Sequence, residues 1–188
     1  MELMDAIHGR RSIRIFDGRP VEQGILEQVL DAATYAPSRM NTQPWHFHVA
    51  SGDARVRVAE VMAMTTAYLE EYIDALGPEG VEHAARFYAD LGAAPVIIGV
   101  ASTITEDCNE ARDNAISVGA AVQNVLLASY GAGLSSCSIS SPHWIRDRLG
   151  DVFGLKEGWE VVSLIVLGYG AEEPHERDRH IDVVTYLT

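Results

Sequence analysis

The stretch Ala36-Pro37-Ser38-Arg39-Met40-Asn41-Thr42-Gln43-Pro44-Trp45 separates two segments with different hydrophobic periods. Before it, apolar residues recur at helical spacing over residues 21–36, and Pro37 ends that predicted helix. After it, residues 46–50 alternate and predict a strand. The two prolines make a stiff loop, whose Ser, Asn and Gln side chains suit the edge of a flat heterocycle or hydroxyl groups. An ordinary turn is the alternative interpretation.

The same patterns predict a layered arrangement along the rest of the chain. Residues 96–101 form an apolar, β-branched run after Pro95, which predicts a strand covered on both faces. The other predicted strands are 134–139 and 161–167, and the other predicted helices are 2–8, 53–76, about 81–91, 113–130 and 141–149. We therefore expect a single α+β domain over residues 1–188, with its sheet between helices.

The predicted helix 113–130 carries almost no charge inside it and is apolar nearly all round. A domain of 188 residues has limited room to surround such a helix, so we expect part of it to be buried against a second subunit. This favours a homodimer. The apolar tail segment 181–187 must also dock somewhere to hide its side chains.

Charge and cysteine content exclude several classes of function. Asp plus Glu number 27 against 14 Lys plus Arg, and the formal net charge of −13 repels polyphosphate and anionic lipid. We therefore expect neither nucleic acid nor a membrane as partner. The two cysteines lack the spacing of a disulfide framework or a zinc knuckle, and no signal peptide or membrane span is evident, so the cytoplasm is the expected location.

Positive charge is concentrated in two short segments of this acidic chain. Arginines make up thirteen of the fourteen cationic residues, and five of them lie in residues 10–14 and 177–179. On an extended backbone Arg10, Ser12 and Arg14 share one face, a pattern suited to a phosphomonoester because guanidinium groups donate bidentate hydrogen bonds. The alternative is that these arginines are solvated or paired with the abundant carboxylates. Nothing local shows that the two ends of the chain meet.

Other motifs are incomplete. The Gly131-Ala132-Gly133 run follows a predicted helix and lacks the third glycine of a dinucleotide fingerprint. His46 and His48 share a strand face without an evident third ligand, so we expect no metal. There is no Gly-x-Ser-x-Gly elbow, and Cys137 is interpreted as a small buried apolar residue.

Taken jointly, three segments resemble the nitroreductase family of flavoproteins. They are Arg10-Arg11-Ser12-Ile13-Arg14-Ile15-Phe16, the Ala-Pro-Ser-x-x-Asn-x-Gln-Pro-Trp pattern over residues 36–45, and Gly168-Tyr169-Gly170 followed by arginines. The resemblance spans nearly the whole chain. It implies a nitroreductase-like α+β fold, with a central mixed sheet flanked by helices. It also implies an intertwined homodimer with an exchanged C-terminal tail and FMN in two clefts at the interface.

The resemblance also implies roles for individual residues. Those expected to hold the FMN phosphate and ribityl chain are Arg10, Arg11, Ser12, Arg14, Arg177 and Arg179. Those expected to approach the flavin from the other subunit are Pro37, Ser38, Arg39, Asn41 and Gln43. A backbone amide of the segment Ile139, Ser140 and Ser141 is expected beside flavin N5, although residues 138–142 lack the aromatic residue and glycines of many relatives.

The activity implied is an FMN-dependent oxidoreductase that takes hydride from NADH or NADPH and reduces a nitroaromatic or quinone by a ping-pong mechanism. Because the flavin carries the hard chemistry, no catalytic side chain need be named. The region 62–92, where relatives vary, gives no guidance about substrate. The alternatives are an FMN-dependent dehalogenase, a dehydrogenase, a flavin-cleaving relative, or a flavin-binding module without catalysis.

Overall fold

An antiparallel sheet of four strands forms the centre of the structure, a computed structural model that describes residues 2–140, 143–174, 178–180 and 182–187. Its strands are β1 (Trp45–Ser51), β2 (Val96–Thr103), β3 (Ser135–Ser140) and β4 (Trp159–Gly168), in the order β1-β2-β4-β3. The expected mixed sheet is corrected, because all three strand pairs are antiparallel. Among the described residues, parallel pairing occurs only at the isolated bridge between Ser12 and Ser136.

Helices cover both faces of this sheet, as the sequence predicts for an α+β fold. The α-helices are α1 (Leu3–Gly9), α2 (Gln23–Thr34), α3 (Gly52–Ala63), α4 (Ile73–Asp90), α5 (Cys108–Gly131) and α6 (Arg146–Phe153). Short 3₁₀ turns occupy Arg39–Asn41, Met64–Tyr72, Leu91–Ala93 and His143–Ile145. The predicted helix 141–149 is therefore displaced, since its α-helical part begins at Arg146 and Ser141 lies outside the described residues.

Two apolar clusters hold the layers together, one on each face of the sheet. Residues of β2 alternate between them because successive side chains of a strand point to opposite faces: Ile98 packs with α2 and α5, and Ile97 packs with α3, α4 and α6. Both side chains are fully buried. The prediction of a strand covered on both faces is confirmed.

The predicted helix 53–76 is wrong as a single element. It ends as α3 at Ala63, continues as 3₁₀ helix, and passes into α4, which is itself interrupted at Gly77 with φ 68° and ψ 168°. The next residue, Pro78, disfavours helical geometry in the residue before it, and glycine adopts the left-handed value without steric cost.

The central helix α5 begins five residues before the predicted start. Its first turn is capped by Asp107, whose carboxylate accepts hydrogen bonds from the amides of Asn109 and Glu110. Its buried side includes polar residues, and the amide of Asn114 donates to the Thr103 hydroxyl at 3.2 Å. On the outside Ile116 is 67% exposed.

The segment after α1 meets the segment after β4. Phe16 and Gly170 form an antiparallel bridge, the Asp17 amide donates to the Tyr169 carbonyl at 3.0 Å, and the Ala171 amide donates to the Ile15 carbonyl at 2.9 Å. Sequence alone does not show that these two parts of the chain meet. As a result, residues 12–17 lie beside β3 and the start of the tail.

Within the described residues, no helix has both the length and the apolar character needed to cross a membrane.

Candidate functional site

The cationic segment 10–14 has a fixed backbone. The Ile13 amide donates to the Ser136 carbonyl of β3 at 3.2 Å. The amides of Arg14 and Ile15 both donate to one carboxylate oxygen of Glu172, the latter at 3.2 Å. A backbone held by β3 on one side and by the tail on the other presents its side chains in a defined direction.

Two guanidinium groups of this segment have no carboxylate partner in the described part of the chain. The ion pairs found there involve Arg19, Arg39, Arg86 and Arg146, and neither Arg10 nor Arg14. The Nη1 atom of Arg10 is buried and also lacks a hydrogen-bond partner among described atoms. A buried unpaired donor on a cation is costly unless an anion or another acceptor completes its shell, so this atom is a candidate for binding an anion.

Three of the predicted residues influence the buried thiol of Cys137. Burial raises the pKa of the Cys137 thiol, and Arg14, Ser12 and Arg10 partly offset that rise. All three side chains are therefore close enough to the buried Cys137 thiol of β3 to affect its charge. Cys137 itself is 2% exposed, which confirms its interpretation as a small buried residue.

Arg11 faces a different set of partners. Its Nη1 atom donates to the carbonyls of His8 at 2.5 Å and Arg10 at 2.9 Å, which satisfies backbone acceptors at the end of α1. A cavity of about 130 Å³ adjoins it; the lining includes Arg10, Arg11, Tyr130, Ser135, Ser136 and Glu172. Arg11 therefore contributes to both the helix end and the cavity.

Of the two tail arginines predicted for the site, the structure describes one. Arg179 is described, and its guanidinium donates to the Asp178 carbonyl at 3.4 Å. Arg177 lies outside the described residues. The tail contacts segment 10–14 through Glu172, which accepts the Arg14 amide. That Arg10 and Arg179 converge on one site stays a prediction.

The loop of residues 37–43 adopts a conformation that few side chains favour. Met40, Asn41 and Gln43 have φ values of 49°, 59° and 47°. The Gln43 amide donates to the Ser38 hydroxyl at 3.0 Å, and the Gln43 side chain donates to Asn41 Oδ1 at 3.1 Å. Left-handed backbone at non-glycine residues costs free energy, persists only where the surroundings impose it, and is concentrated at functional sites.

This loop is tied to α5 and not to the cationic segment of the same chain. Arg39 Nε lies 3.0 Å from a carboxylate oxygen of Asp113, while Pro37 and Asn41 are exposed. No described residue of 37–43 lines the cavity beside Arg10. Within one chain the two predicted halves of the site are therefore apart.

The third predicted part of the site lies at the end of β3. Ile139 is buried opposite Leu164, and Ser140 is exposed opposite Ser163. The Ser163 hydroxyl lies 3.1 Å from the Ile139 carbonyl, to which it donates, and 2.9 Å from the Ser138 hydroxyl. Ser141, which completes the predicted segment, is among the residues that the structure does not describe.

Sequence reasoning names Tyr68, Tyr72 and Tyr88 as candidates to face the cleft, with packing or a solvated face as the alternative interpretation, and it misses Glu172 and Trp144. Glu172 carries no motif that singles it out. Tyr68 stacks on Trp144 with ring centroids 5.0 Å apart, and Tyr72 lies 6.2 Å from the same indole. Burial, and to a lesser degree Cys137, raises the pKa of the Tyr88 hydroxyl.

A second cavity of about 390 Å³ lies between the sheet and the first half of α5. Ser102, Asn114, Ser138, Glu160 and Ser163 contribute polar groups to its lining, together with apolar residues of α5. The Ser102 hydroxyl is buried there without a hydrogen-bond partner in the described chain. Sequence patterns gave no indication of this cavity.

The histidine pair on β1 is confirmed as neighbours on one face. The rings of His46 and His48 are 4.6 Å apart, and burial followed by the His46 charge lowers the pKa of His48. Across the described ranges no group of three His, Cys, Asp or Glu side chains is arranged to hold a metal ion. The expectation of no metal stays a prediction.

The sequence of this chain is similar to proteins of a known family. Residues 7–169 match the Nitroreductase family. The chain is 34% identical to nitroreductase NfnB of Mycolicibacterium smegmatis over 192 residues, covering 87% of this chain and 80% of that protein. It is 30% identical to nitrobenzene nitroreductase of Ectopseudomonas oleovorans, with 71% of each chain covered.

A solved structure shows the same fold. The crystal structure of the FMN-dependent nitroreductase NfnB from Mycobacterium smegmatis in complex with NADPH superposes with a TM-score of 0.81 at 21% identity, covering 98% of this chain and 97% of that one. The expectation of a nitroreductase-like fold is confirmed. From the match over residues 7–169 and the relatedness over most of its length, the chain belongs to the nitroreductase family.

Proposed function

We propose that this protein is an FMN-dependent oxidoreductase that uses NADH or NADPH to reduce a small organic acceptor of the nitroaromatic or quinone type. The observation that carries the proposal is the unpaired cationic group of Arg10 and Arg14 in a chain of net charge −13. The Nη1 atom of Arg10 is in addition buried without a hydrogen-bond partner in the described chain, and a buried cationic donor of this kind suits an anion.

The residues present fit the phosphate of FMN. The buried Nη1 atom of Arg10 is a hydrogen-bond donor without a partner in the described chain. Arg14 and the Ser12 hydroxyl, like Arg10, influence the Cys137 thiol and so lie in its neighbourhood. A phosphomonoester dianion supplies the oxygen acceptors that these donors lack. We assign Arg10, Ser12 and Arg14 to the phosphate and ribityl chain, with Arg11, Arg177 and Arg179 as further ligands.

The remaining assignments concern the ring. When bound, the flavin supplies hydride chemistry that no side chain of this protein provides. The protein's part is to grip the phosphate, orient the ring and exclude water. We assign the backbone of Ile139, Ser140 and Ser141 to the ring edge near N5, and Pro37, Ser38, Arg39, Asn41 and Gln43 of a second subunit to the ring and ribityl chain.

Named relatives support the choice of cofactor and substrate. The solved relative NfnB is described as FMN-dependent and in complex with NADPH, and another relative as a nitrobenzene nitroreductase. We extend those properties to this chain because its own cationic segment suits FMN. A cytoplasmic location and the absence of metal and nucleic-acid partners stay predictions from composition.

We further propose that the protein is a homodimer whose two copies complete each site. The separation of loop 37–43 from the cavity beside Arg10 supports this, since one chain alone does not bring them together. Apolar side chains exposed on a single chain support it too; they include Leu3, Met4, Ile116, Val183, Val184, Tyr186 and Leu187. Exposed apolar groups of this kind mark surfaces that bind a partner. Residues 1–188 act in this proposal as one domain.

Anaerobic titration of the purified protein tests the function. We expect a yellow protein whose released cofactor is FMN, bleached by NADH or NADPH and recoloured by a nitroaromatic or quinone. The control is Arg57→Ala, because Arg57 is an exposed residue of α3 outside the site. A protein that binds no FMN contradicts the proposal, and tight FMN that NAD(P)H does not bleach favours a flavin-binding module without this activity.

A further inference from the structure

The turn that ends α4 has three successive residues in the left-handed region. Leu91, Gly92 and Ala93 have φ values of 57°, 65° and 59°. Glycine adopts such values readily, whereas leucine and alanine do so against steric repulsion. Two disfavoured residues in one turn mean that the surrounding structure imposes its shape.

Hydrogen bonds and burial on the α4 side hold this turn in place. The Asp90 carboxylate accepts the Gly92 amide at 2.9 Å, and Leu91 is fully buried. From α3, Arg55 donates to the carbonyl of Asp90 and, at 2.9 Å, to that of Ala94. The turn is therefore anchored independently of the segment it touches.

That segment is the cationic one. A Cβ atom on Gly92 would overlap the carbonyl oxygen of Arg14 and would lie 2.8 Å from its carbonyl carbon. The Gly92 carbonyl accepts the Phe16 amide at 2.9 Å. On the other side, Glu172 accepts the amide of Arg14. The peptide groups of Arg14 are thus held from two directions while its guanidinium has no ion-pair partner in the described ranges.

We propose that Gly92 is a positioning residue for the Arg14 guanidinium, so that the end of α4 sets the geometry of the anion site. The proposal rests on the proposed function, because it takes Arg14 to bind the FMN phosphate. A side chain at residue 92 has to push the Arg14 peptide away, since the obstructing atoms are backbone atoms and the turn is anchored. Displacement of that peptide moves the side chain that it carries.

The test uses two alanine substitutions at glycines of matched conformation. Gly92→Ala and Gly154→Ala both place alanine in the left-handed region, with φ 65° and ψ 29° at residue 92 and φ 65° and ψ 41° at residue 154, but a Cβ on Gly154 meets nothing within 4 Å. We expect Arg14→Ala and Gly92→Ala each to weaken FMN binding about tenfold, measured by quenching of flavin fluorescence. Gly154→Ala should retain wild-type affinity.

A double variant that carries both Arg14→Ala and Gly92→Ala separates a positioning effect of Gly92 on the Arg14 side chain from general destabilisation of the fold. In an Arg14→Ala background, Gly92→Ala should change the FMN dissociation constant by less than about twofold, because the side chain that it displaces is already absent. The proposal is overturned if the two losses of affinity multiply in the double variant, or if Gly92→Ala binds FMN as tightly as Gly154→Ala does. Wild-type protein without FMN affinity contradicts the proposed function instead.

A second variant keeps the proposal falsifiable if Gly92→Ala does not fold. Asp90→Ala removes the carboxylate that holds the Gly92 amide and adds no atom beside Arg14. We expect it to weaken FMN binding in the wild-type background and to have no further effect beside Arg14→Ala. Equal losses of affinity in both backgrounds overturn the proposal.

Discussion

The Glu172 carboxylate accepts the backbone amide of Ile15 at 3.2 Å, across 157 positions of sequence. The same oxygen accepts the amide of Arg14. One acidic side chain of the tail therefore fixes the backbone of the cationic segment without neutralising its guanidinium groups through an ion pair, as far as the described residues extend.

Removal of this carboxylate should loosen both segments. We expect Glu172→Ala to lower the free energy of unfolding by about 1–3 kcal/mol, since two backbone donors lose a charged acceptor. FMN binding should weaken as well. Urea unfolding and flavin titration measure the two effects, with Glu173→Ala as the neighbouring control. Unchanged stability would show that water replaces the carboxylate at no cost.

Arg10 should contribute a large share of FMN affinity. A charge-assisted hydrogen bond contributes roughly 1.5–3 kcal/mol, so Arg10→Ala should raise the FMN dissociation constant by about tenfold or more. Inorganic phosphate should compete with FMN in the wild-type protein and much less in the variant. The exposed residue Arg57 provides the control substitution to alanine. Retention of FMN by Arg10→Ala at wild-type strength would contradict the assignment.

The two cysteines should differ sharply in reactivity. Cys108 is exposed, whereas Cys137 is buried and its pKa is raised above the usual value by that burial. At pH 8 the native protein should therefore take up one equivalent of iodoacetamide quickly, and Cys108→Ser should take up none on that time scale. Mass spectrometry of the labelled peptide identifies the site. Rapid labelling of both thiols would argue against the packing of β3.

Stability should fall on acidification because of His48. Burial and the nearby His46 lower the pKa of His48 in the folded state below its ordinary value of 6.5. The unfolded chain then binds a proton more readily, so stability is fully present above pH 6.5 and is lost as pH falls through that value. His48→Gln should reduce the difference between urea midpoints at pH 7.5 and 5.5, and His83→Gln should not. An undiminished difference in His48→Gln would assign the effect to other groups.

A charge on the outer face of α5 should separate the two copies. Ile116 is 67% exposed in one chain, and a carboxylate buried there in an interface would be costly. We expect Ile116→Glu to elute as a monomer on gel filtration and to lose most of its FMN. Val56→Glu, at an apolar residue of α3 that is 46% exposed, should remain dimeric and yellow. A dimeric Ile116→Glu that keeps FMN would exclude this face from the interface.

Local patterns predicted those parts of the fold that depend on local chemistry. The continuous apolar run of β2 matches a strand buried on both faces, and the helical spacing of apolar residues in α2 matches a helix buried on one side. The sequence therefore predicts that both elements exist and of which type each is. The division of residues 53–76 was not readable, because only tertiary packing selects 3₁₀ geometry for Met64–Tyr72. A mixed sheet was expected from the resemblance, yet every strand pair is antiparallel.

The sequence predicts which residues make up the candidate site, but it does not predict which distant residues hold them in place. Alternation predicts that Arg10, Ser12 and Arg14 share one face, and in the structure all three influence the buried Cys137 thiol. The partners that fix their backbone, Gly92 and Glu172, lie far away in sequence and carry no periodic signal. Long-range hydrogen bonds of this kind depend on the complete fold, and local propensity does not encode them.

The bridge between Phe16 and Gly170 has a consequence for biosynthesis. Residues 12–17 leave the ribosome long before their partners at Ser136, Gly170 and Glu172 are translated. The cationic segment must therefore wait, unpaired, while helices and strands form behind it. We therefore expect the backbone of this segment to reach its final geometry, and any anion to bind there, only after translation has passed Glu172.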